Sequence, residues 1–109
     1  MTNRLFVYGT LMPGRPNEHI LTAIGGEFIP AHLRGTLYEK GWGADMGYPG
    51  LIIDQKGDKV NGYIFSSTNL KYRWKDLDEF EGNAYLRVLT DVTMEDGSTV
   101  KAYVYTIRS

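Results

Sequence analysis

Short apolar runs, separated by glycine and other turn-forming residues, make up most of the chain. Some runs alternate loosely between apolar and polar positions and others are continuously apolar, patterns typical of half-buried and buried strands. The pair Asp96-Gly97 lies between the last two runs and predicts a hairpin turn. The predicted strands are 5–8, 27–39, 51–53, 60–66, 85–94 and 99–107.

Two further segments have the apolar spacing of helices. The longer helix is expected from about Leu70 to Glu81, and a shorter one just after Asn17. The long helix is expected to be capped at its start by Ser67, Thr68 or Asn69 and to end at Gly82-Asn83. The short helix is expected to be capped by Asn17 and to end at Gly25-Gly26.

The order of these elements limits the fold class. Helices and strands do not alternate regularly, which disfavours a doubly wound parallel sheet. Six strands with one long and one short helix predict an α+β fold, a small mixed β-barrel or curved sheet with flanking helices. The 109 residues are typical of one domain, so a single domain over 1–109 is expected.

Composition removes several function classes. The chain has 12 Lys and Arg against 13 Asp and Glu, without the basic excess of a nucleic-acid-binding protein. Absence of cysteine excludes a thiolate nucleophile or cysteine zinc site, and two histidines disfavour a histidine metal site. No apolar run approaches the ~20 residues that span a bilayer. We therefore expect a cytoplasmic protein without a membrane or nucleic-acid partner.

The segment after the first strand is the first candidate for chemistry. A strand here ends at Gly9, followed by the hydroxyl residue Thr10 and then a turn. Gly9 permits positive φ or the close approach of a ligand. Successive backbone N–H groups could bind an anion, with Thr10 as a further donor. An ordinary strand-to-loop turn explains the same residues.

Three acidic residues at the end of the long helix are the second candidate. Carboxylates are unfavourable at a helix C-terminus, and their crowding is expected to raise their pKa values. Glu81 lies on the apolar face of Leu70, Trp74 and Leu77, so it is expected to point inward. Its partial burial is also expected to raise its pKa, which suits general acid–base catalysis. Asp78 and Glu79 are expected to face solvent, with Lys75 pairing to Glu79.

A glycine-rich loop and several tyrosines complete the candidates. The loop Gly41–Gly50 is long for so small a domain and could wall a pocket, although disorder is an alternative. Tyr85, Tyr103 and Tyr105 could line a cavity, but aromatic residues on strands more often fill the core.

The combined motifs resemble the gamma-glutamylcyclotransferase-like family. The resemblance covers nearly the whole chain and rests on three ordered segments. These are Tyr8-Gly9-Thr10-Leu11, Tyr48-Pro49-Gly50-Leu51, and Leu77-Asp78-Glu79-Phe80-Glu81-Gly82 followed by Tyr85 and Arg87. The family's fold is a small mixed barrel with flanking helices.

This resemblance implies a reaction and a site. Family enzymes cyclise γ-glutamyl amides to 5-oxoproline and release an amine or amino acid, without metal or cofactor. Glu81 would be the acid/base catalyst. Substrate would be bound by Tyr8, Gly9, Thr10, Leu11, Pro49, Gly50, Tyr85 and Tyr105.

Two other functions fit the same residues. The chain could be a non-catalytic binding or interaction module that keeps the barrel and the pocket. It could also be a hydrolase with Thr10 as nucleophile, although no histidine is well placed as its base.

Two features differ from the pattern of the family that the motifs resemble. Thr10 stands where the family often has serine, and longer members carry a C-terminal segment beyond the last strand. The sequence does not indicate the amine half of a substrate or an oligomeric state.

Overall fold

The computed structural model describes residues 3–38 and 50–107. The described residues form six strands, two α-helices and one 3₁₀ turn. The strands are β1 (Arg4–Val7), β2 (Glu27–Tyr38), β3 (Gly50–Ile53), β4 (Asp58–Ser66), β5 (Tyr85–Met94) and β6 (Thr99–Ile107). The helices are α1 (Glu18–Ile24) and α2 (Trp74–Glu81), and the 3₁₀ turn is Leu70–Tyr72.

Five of the strands close into a barrel. The sheet order is β3-β2-β4-β1-β6-β5, and a second pairing of β2 with β5 closes the ring through Ala31 with Met94 and His32 with Thr93. Strand β3 lies outside the ring, paired with β2. The β1–β6 pair is parallel and the other pairs are antiparallel. The predicted mixed barrel with flanking helices is therefore confirmed.

Two apolar clusters stabilise this arrangement. One draws buried residues from all five barrel strands, including Phe6, Ile64 and Val104. The other packs the helices against the opposite face of the sheet, where Leu5 and Val7 alternate with Phe6 along β1. Buried members of this second cluster on the helical segments are Leu21, Leu70, Trp74 and Leu77. The cluster fixes α2 against the barrel and so fixes where its last turn lies.

The long helix expected from Leu70 to Glu81 is divided at Arg73. Its first part is the 3₁₀ turn, and α2 begins only at Trp74. Neither Asn69 nor Arg73 makes a side-chain cap hydrogen bond. No helix among the described residues is long and apolar enough to cross a membrane.

The expected capping residues instead bind neighbouring segments. Ser67 donates its hydroxyl to the Gly25 carbonyl, and the Asn69 side-chain amide donates to the Ile24 carbonyl at 2.9 Å. Both side chains thus satisfy carbonyls at the end of α1. Asn17 likewise makes no cap hydrogen bond at the start of α1. The predicted side-chain N-caps are therefore not formed as expected, although the Ser67 hydroxyl oxygen also accepts from the Asn69 backbone amide at 3.1 Å. The predicted helix ends are confirmed, because Gly25 and Gly82 are the C-caps of α1 and α2 and both have positive φ.

Candidate active site

A cavity opens where the loop after β1 meets the last turn of α2. It occupies about 360 Å³ including its solvent-filled mouth. The residues that line it are Phe6, Val7, Tyr8, Gly9, Thr10, Leu11, Glu81, Tyr85 and Tyr105. Seven of the residues expected at a site are therefore brought together from four separate parts of the chain.

The loop after β1 lines this cavity with Gly9, Thr10 and Leu11. Its carbonyls are occupied, because Gly9 accepts from the Met12 amide at 3.1 Å and Thr10 from the Asn17 amide at 2.9 Å. Within residues 3–38 and 50–107, the amides of Gly9, Thr10 and Leu11 donate to no backbone oxygen. The loop can therefore offer donors to an anionic or carbonyl oxygen.

Gly9 does not adopt the positive φ angle that was one of the two expectations for it. Positive φ angles in the described chain occur at Gly14, Gly25, Gly82 and Gly97, and Gly9 is not among them. Its position in the cavity wall agrees with the other expectation, which was the close approach of a ligand to the backbone.

The Thr10 hydroxyl anchors the loop to the start of α1. Thr10 is buried, and its Oγ1 accepts from the Asn17 side-chain amide at 2.9 Å. An amide cannot take the hydroxyl proton. In the part of the chain that the structure describes, no histidine or carboxylate hydrogen-bonds to this hydroxyl, so the geometry disfavours Thr10 as a nucleophile.

Glu81 is the carboxylate that lines the cavity. It is the last residue of α2 and is half-buried beside Tyr8, Tyr85 and Tyr105. Burial raises the pKa of Glu81 to about 7. The direction of this shift was expected from partial burial, from crowding by other carboxylates and from the helix end, and of these causes burial accounts for it.

Asp78 is exposed, as expected, yet it is bound on the outer side of α2. It accepts from Arg87 Nε at 2.9 Å, from the other Arg87 nitrogen at 3.3 Å, and from the Tyr105 hydroxyl at 2.7 Å. Partial burial acts to raise the pKa of Asp78, but the hydrogen bonds from Arg87 and Tyr105 outweigh it and leave that pKa below its usual range.

Asp78 therefore contradicts the expectation that the acidic residues raise one another's pKa. The expected Lys75–Glu79 pair is also not formed. Ion pairs among the described residues join Arg73 to Asp76, Arg87 to Asp78 and Lys101 to Asp91.

The tyrosines divide between the cavity and the packing around it. The Tyr8 hydroxyl donates to the Tyr105 carbonyl at 2.6 Å, and burial raises the pKa of Tyr8. Tyr85 and Tyr105 are buried and line the cavity. Tyr103 instead packs edge-on against Trp74, with ring centroids 4.9 Å apart. The sequence left both roles open for these strand tyrosines.

The mid-chain segment supplies less to the described site. Pro49 and most of the Gly41–Gly50 loop lie outside the described residues. Gly50 begins β3 but does not line the cavity; a side chain there would collide with Ile107. A direct binding role for Pro49 or Gly50 stays a prediction.

Comparison with known proteins decides the family. The family model described as gamma-glutamyl cyclotransferase, AIG2-like, matches residues 5–109. This chain belongs to that family. Two similar relatives are named "Putative gamma-glutamylcyclotransferase", one from Halalkalibacterium halodurans and one from Drosophila melanogaster. The first is 39% identical over 69% of this chain and 67% of its own length, and the second 27% identical over 100% and 72%.

A solved structure of the gamma-glutamyl cyclotransferase family shares the architecture. The crystal structure of an AIG2-like protein from Mus musculus superposes with a TM-score of 0.68 at 28% identity, covering 95% of this chain and 76% of that one. Family membership thus agrees with the barrel and helices found here.

Sequence reasoning missed one part of this family member's site. It assigned no role to Arg87 and left Asp78 to solvent, although the two form a pair next to the cavity-lining Tyr105. The available signal was the motif that places Arg87 two residues after Tyr85. Two residues that line the cavity, Phe6 and Val7, were also given no role; both belong to β1, the strand that leads into the loop.

Proposed function

We propose that this protein cyclises γ-glutamyl amides to 5-oxoproline and releases the amine. Family membership supports the reaction class. The observation that carries the proposal is that a half-buried glutamate and a loop whose amides donate to no backbone oxygen of residues 3–38 and 50–107 line one cavity. The substrate carries its own nucleophile, an α-amino group, so the protein must supply proton transfer and orientation.

Glu81 is the proposed acid/base catalyst. An α-amino group has a pKa of about 8 and is mostly protonated at neutral pH. The Glu81 carboxylate takes a proton from this ammonium group, and the freed amine adds to the γ-carbonyl carbon, whose oxygen becomes an oxyanion. Glu81 then gives that proton to the leaving nitrogen, and the carbonyl re-forms as the amide C–N bond breaks. The ionised Glu81 removes the second proton from the ring nitrogen, which leaves neutral 5-oxoproline, and passes it to the released amine or to water. A pKa of about 7 suits both transfers near neutral pH.

The loop after β1 is the proposed binding site for oxygens. The amides of Gly9, Thr10 and Leu11 are free to donate to the substrate's α-carboxylate or to the oxyanion that forms during ring closure. Among the described lining residues there is no lysine or arginine, so this recognition falls on backbone donors and tyrosine hydroxyls. Tyr8, Tyr85 and Tyr105 enclose the remaining sides.

The proposal is tested by measuring 5-oxoproline release from γ-glutamyl amino acids, γ-glutamyl amines and glutathione. At least one compound should be turned over, and Glu81→Gln should lower its kcat/KM by about 10²–10⁴-fold, the usual range for a lost general acid–base catalyst. Glu79→Gln is the matched control, because Glu79 is exposed on the same helix and does not line the cavity.

The contrary outcomes are equally specific. Full activity of Glu81→Gln would remove Glu81 as the catalyst. Binding of γ-glutamyl compounds without any release of 5-oxoproline would favour a binding module. The compound with the highest kcat/KM would identify the amine half of the substrate.

A further inference from the structure

A cluster of side chains on the outer side of α2 extends to the cavity. The Arg87 guanidinium lies 4.5 Å from the ring centroid of Trp74 and 4.6 Å from that of Tyr103. This contact with two rings and its two hydrogen bonds to Asp78 hold Arg87 in one orientation. Arg87 in turn holds the Asp78 carboxylate, so the cluster ties α2 to both β5 and β6.

Tyr105 connects this cluster to the cavity. Its hydroxyl donates to Asp78 at 2.7 Å, while the residue lines the same cavity as Glu81. Its backbone carbonyl accepts from the Tyr8 hydroxyl at 2.6 Å. One residue therefore links the outer ion pair, the acidic end of α2 and the loop after β1.

Two carboxylates at the end of α2 act on the phenol of Tyr105. Burial and the hydrogen bond to Asp78 raise the pKa of Tyr105, and the charge of Glu81, which lines the same cavity, adds to this. Asp78 receives the hydrogen bond. A hydrogen bond donated to Glu81 would instead stabilise its charged form and make it a weaker base.

We propose that Asp78, held in place by Arg87, is a positioning residue that keeps the Tyr105 hydroxyl turned away from Glu81. This inference rests on the proposed function for its catalytic meaning. The titratable side chains that line the cavity with Glu81 in the described part of the chain are Tyr8 from the end of β1, Tyr85 from β5 and Tyr105 from β6. Of these, Tyr105 is the one whose hydroxyl is bound to Asp78.

The experiment is a double-mutant cycle read by the NMR titration of the Glu81 side-chain carboxyl. The four proteins are the wild type, Asp78→Ala, Tyr105→Phe and the double variant. Asp78→Ala should lower the Glu81 midpoint by about one pH unit, because the freed hydroxyl donates to Glu81. Tyr105→Phe alone should leave the midpoint nearly unchanged, and the double variant should lose most of the shift.

Two results would overturn the inference. An unchanged midpoint in Asp78→Ala would show that the hydroxyl does not move to Glu81. An equal shift in both backgrounds would show that Asp78 acts through its charge and not through Tyr105. If Asp78→Ala does not fold, Asp78→Asn replaces it and should give a smaller shift of the same sign.

Kinetics add a separate readout. Asp78→Ala should reduce kcat/KM about tenfold and move the acidic limb of its pH profile with the NMR midpoint. Asp91→Ala is the control, since it breaks an exposed 2.9 Å ion pair on the same hairpin and should alter neither. The titration needs no substrate, so it tests the positioning role even if no γ-glutamyl compound is turned over.

Discussion

Two carboxylates three residues apart on α2 have opposite environments. Asp78 is exposed to solvent and accepts hydrogen bonds from Arg87 of β5 and Tyr105 of β6, which hold its pKa below the usual range against the effect of partial burial. Glu81 faces the cavity, where burial raises its pKa to about 7. The two residues share a helix end and its dipole, so neither feature explains the difference.

The difference shows how one helix turn separates an anchoring role from a chemical one. An ionised carboxylate paired with a fixed guanidinium stabilises the junction of α2 with β5. A half-buried carboxylate beside tyrosines can change its protonation near neutral pH. Divergent pKa values in neighbouring acids are a recurrent sign of such divided roles.

The largest expected effect is on the pH dependence of activity. If Glu81 must be ionised to accept a proton, kcat/KM should fall tenfold per pH unit below about pH 7, to about a hundredth of its plateau at pH 5. The profile is measured by 5-oxoproline release, with circular dichroism at each pH as a control for folding. An acidic limb centred near pH 4 would place Glu81 in the same class as an ordinary exposed carboxylate.

The next effect is expected on stability. The folded pKa of Glu81 lies above its unfolded value, so the wild type loses stability as pH rises from about 4 to 7. The variant Glu81→Gln does not undergo this loss. Its free energy of unfolding should exceed that of the wild type by about 3 kcal/mol at pH 8, and the difference should vanish below about pH 4. Urea unfolding at both pH values measures it, and an equal stability at pH 8 would contradict a buried Glu81.

Asp78 should show a stability effect of the opposite sign. Its folded pKa is lowered, so its contribution is present above about pH 4 and is lost as the pH falls further. Since its side chain is 46% exposed, Asp78→Ala should cost only about 1 kcal/mol at pH 7. Asp91→Ala should cost less than about 0.5 kcal/mol. Equal costs for the two variants would show that the Arg87 contacts add nothing to an ordinary surface pair.

Local patterns predicted the elements that depend on local interactions. The β5–β6 hairpin has the predicted bounds, Tyr85–Met94 and Thr99–Ile107, because alternation and the Asp96-Gly97 turn agree there. The helix predicted from Leu70 is divided at Arg73. The side chains of Ser67 and Asn69, which were expected to cap its start, bind carbonyls at the end of α1. Such partners are distant in sequence and leave no local signal.

In the candidate site too, local patterns predicted some features, and contacts between residues distant in sequence were not predicted. Apolar spacing on α2 was enough to predict that Glu81 points inward, and the family motif brought in the loop Tyr8–Leu11. The bond between Tyr105 and Asp78 joins residues 27 positions apart and depends on how α2 docks on β6. The partial burial expected of Glu81 from its helix face does raise its pKa. The expected crowding of carboxylates fails for Asp78, because that residue is bound to Arg87 and Tyr105.

The most direct test is an NMR titration of both side-chain carboxyls in the wild-type protein. The expected result is a Glu81 midpoint at about pH 7 and an Asp78 midpoint below its ordinary value near 3.8. Two midpoints near pH 4 would contradict the division of roles on α2 and, with it, Glu81 as an acid/base catalyst at neutral pH.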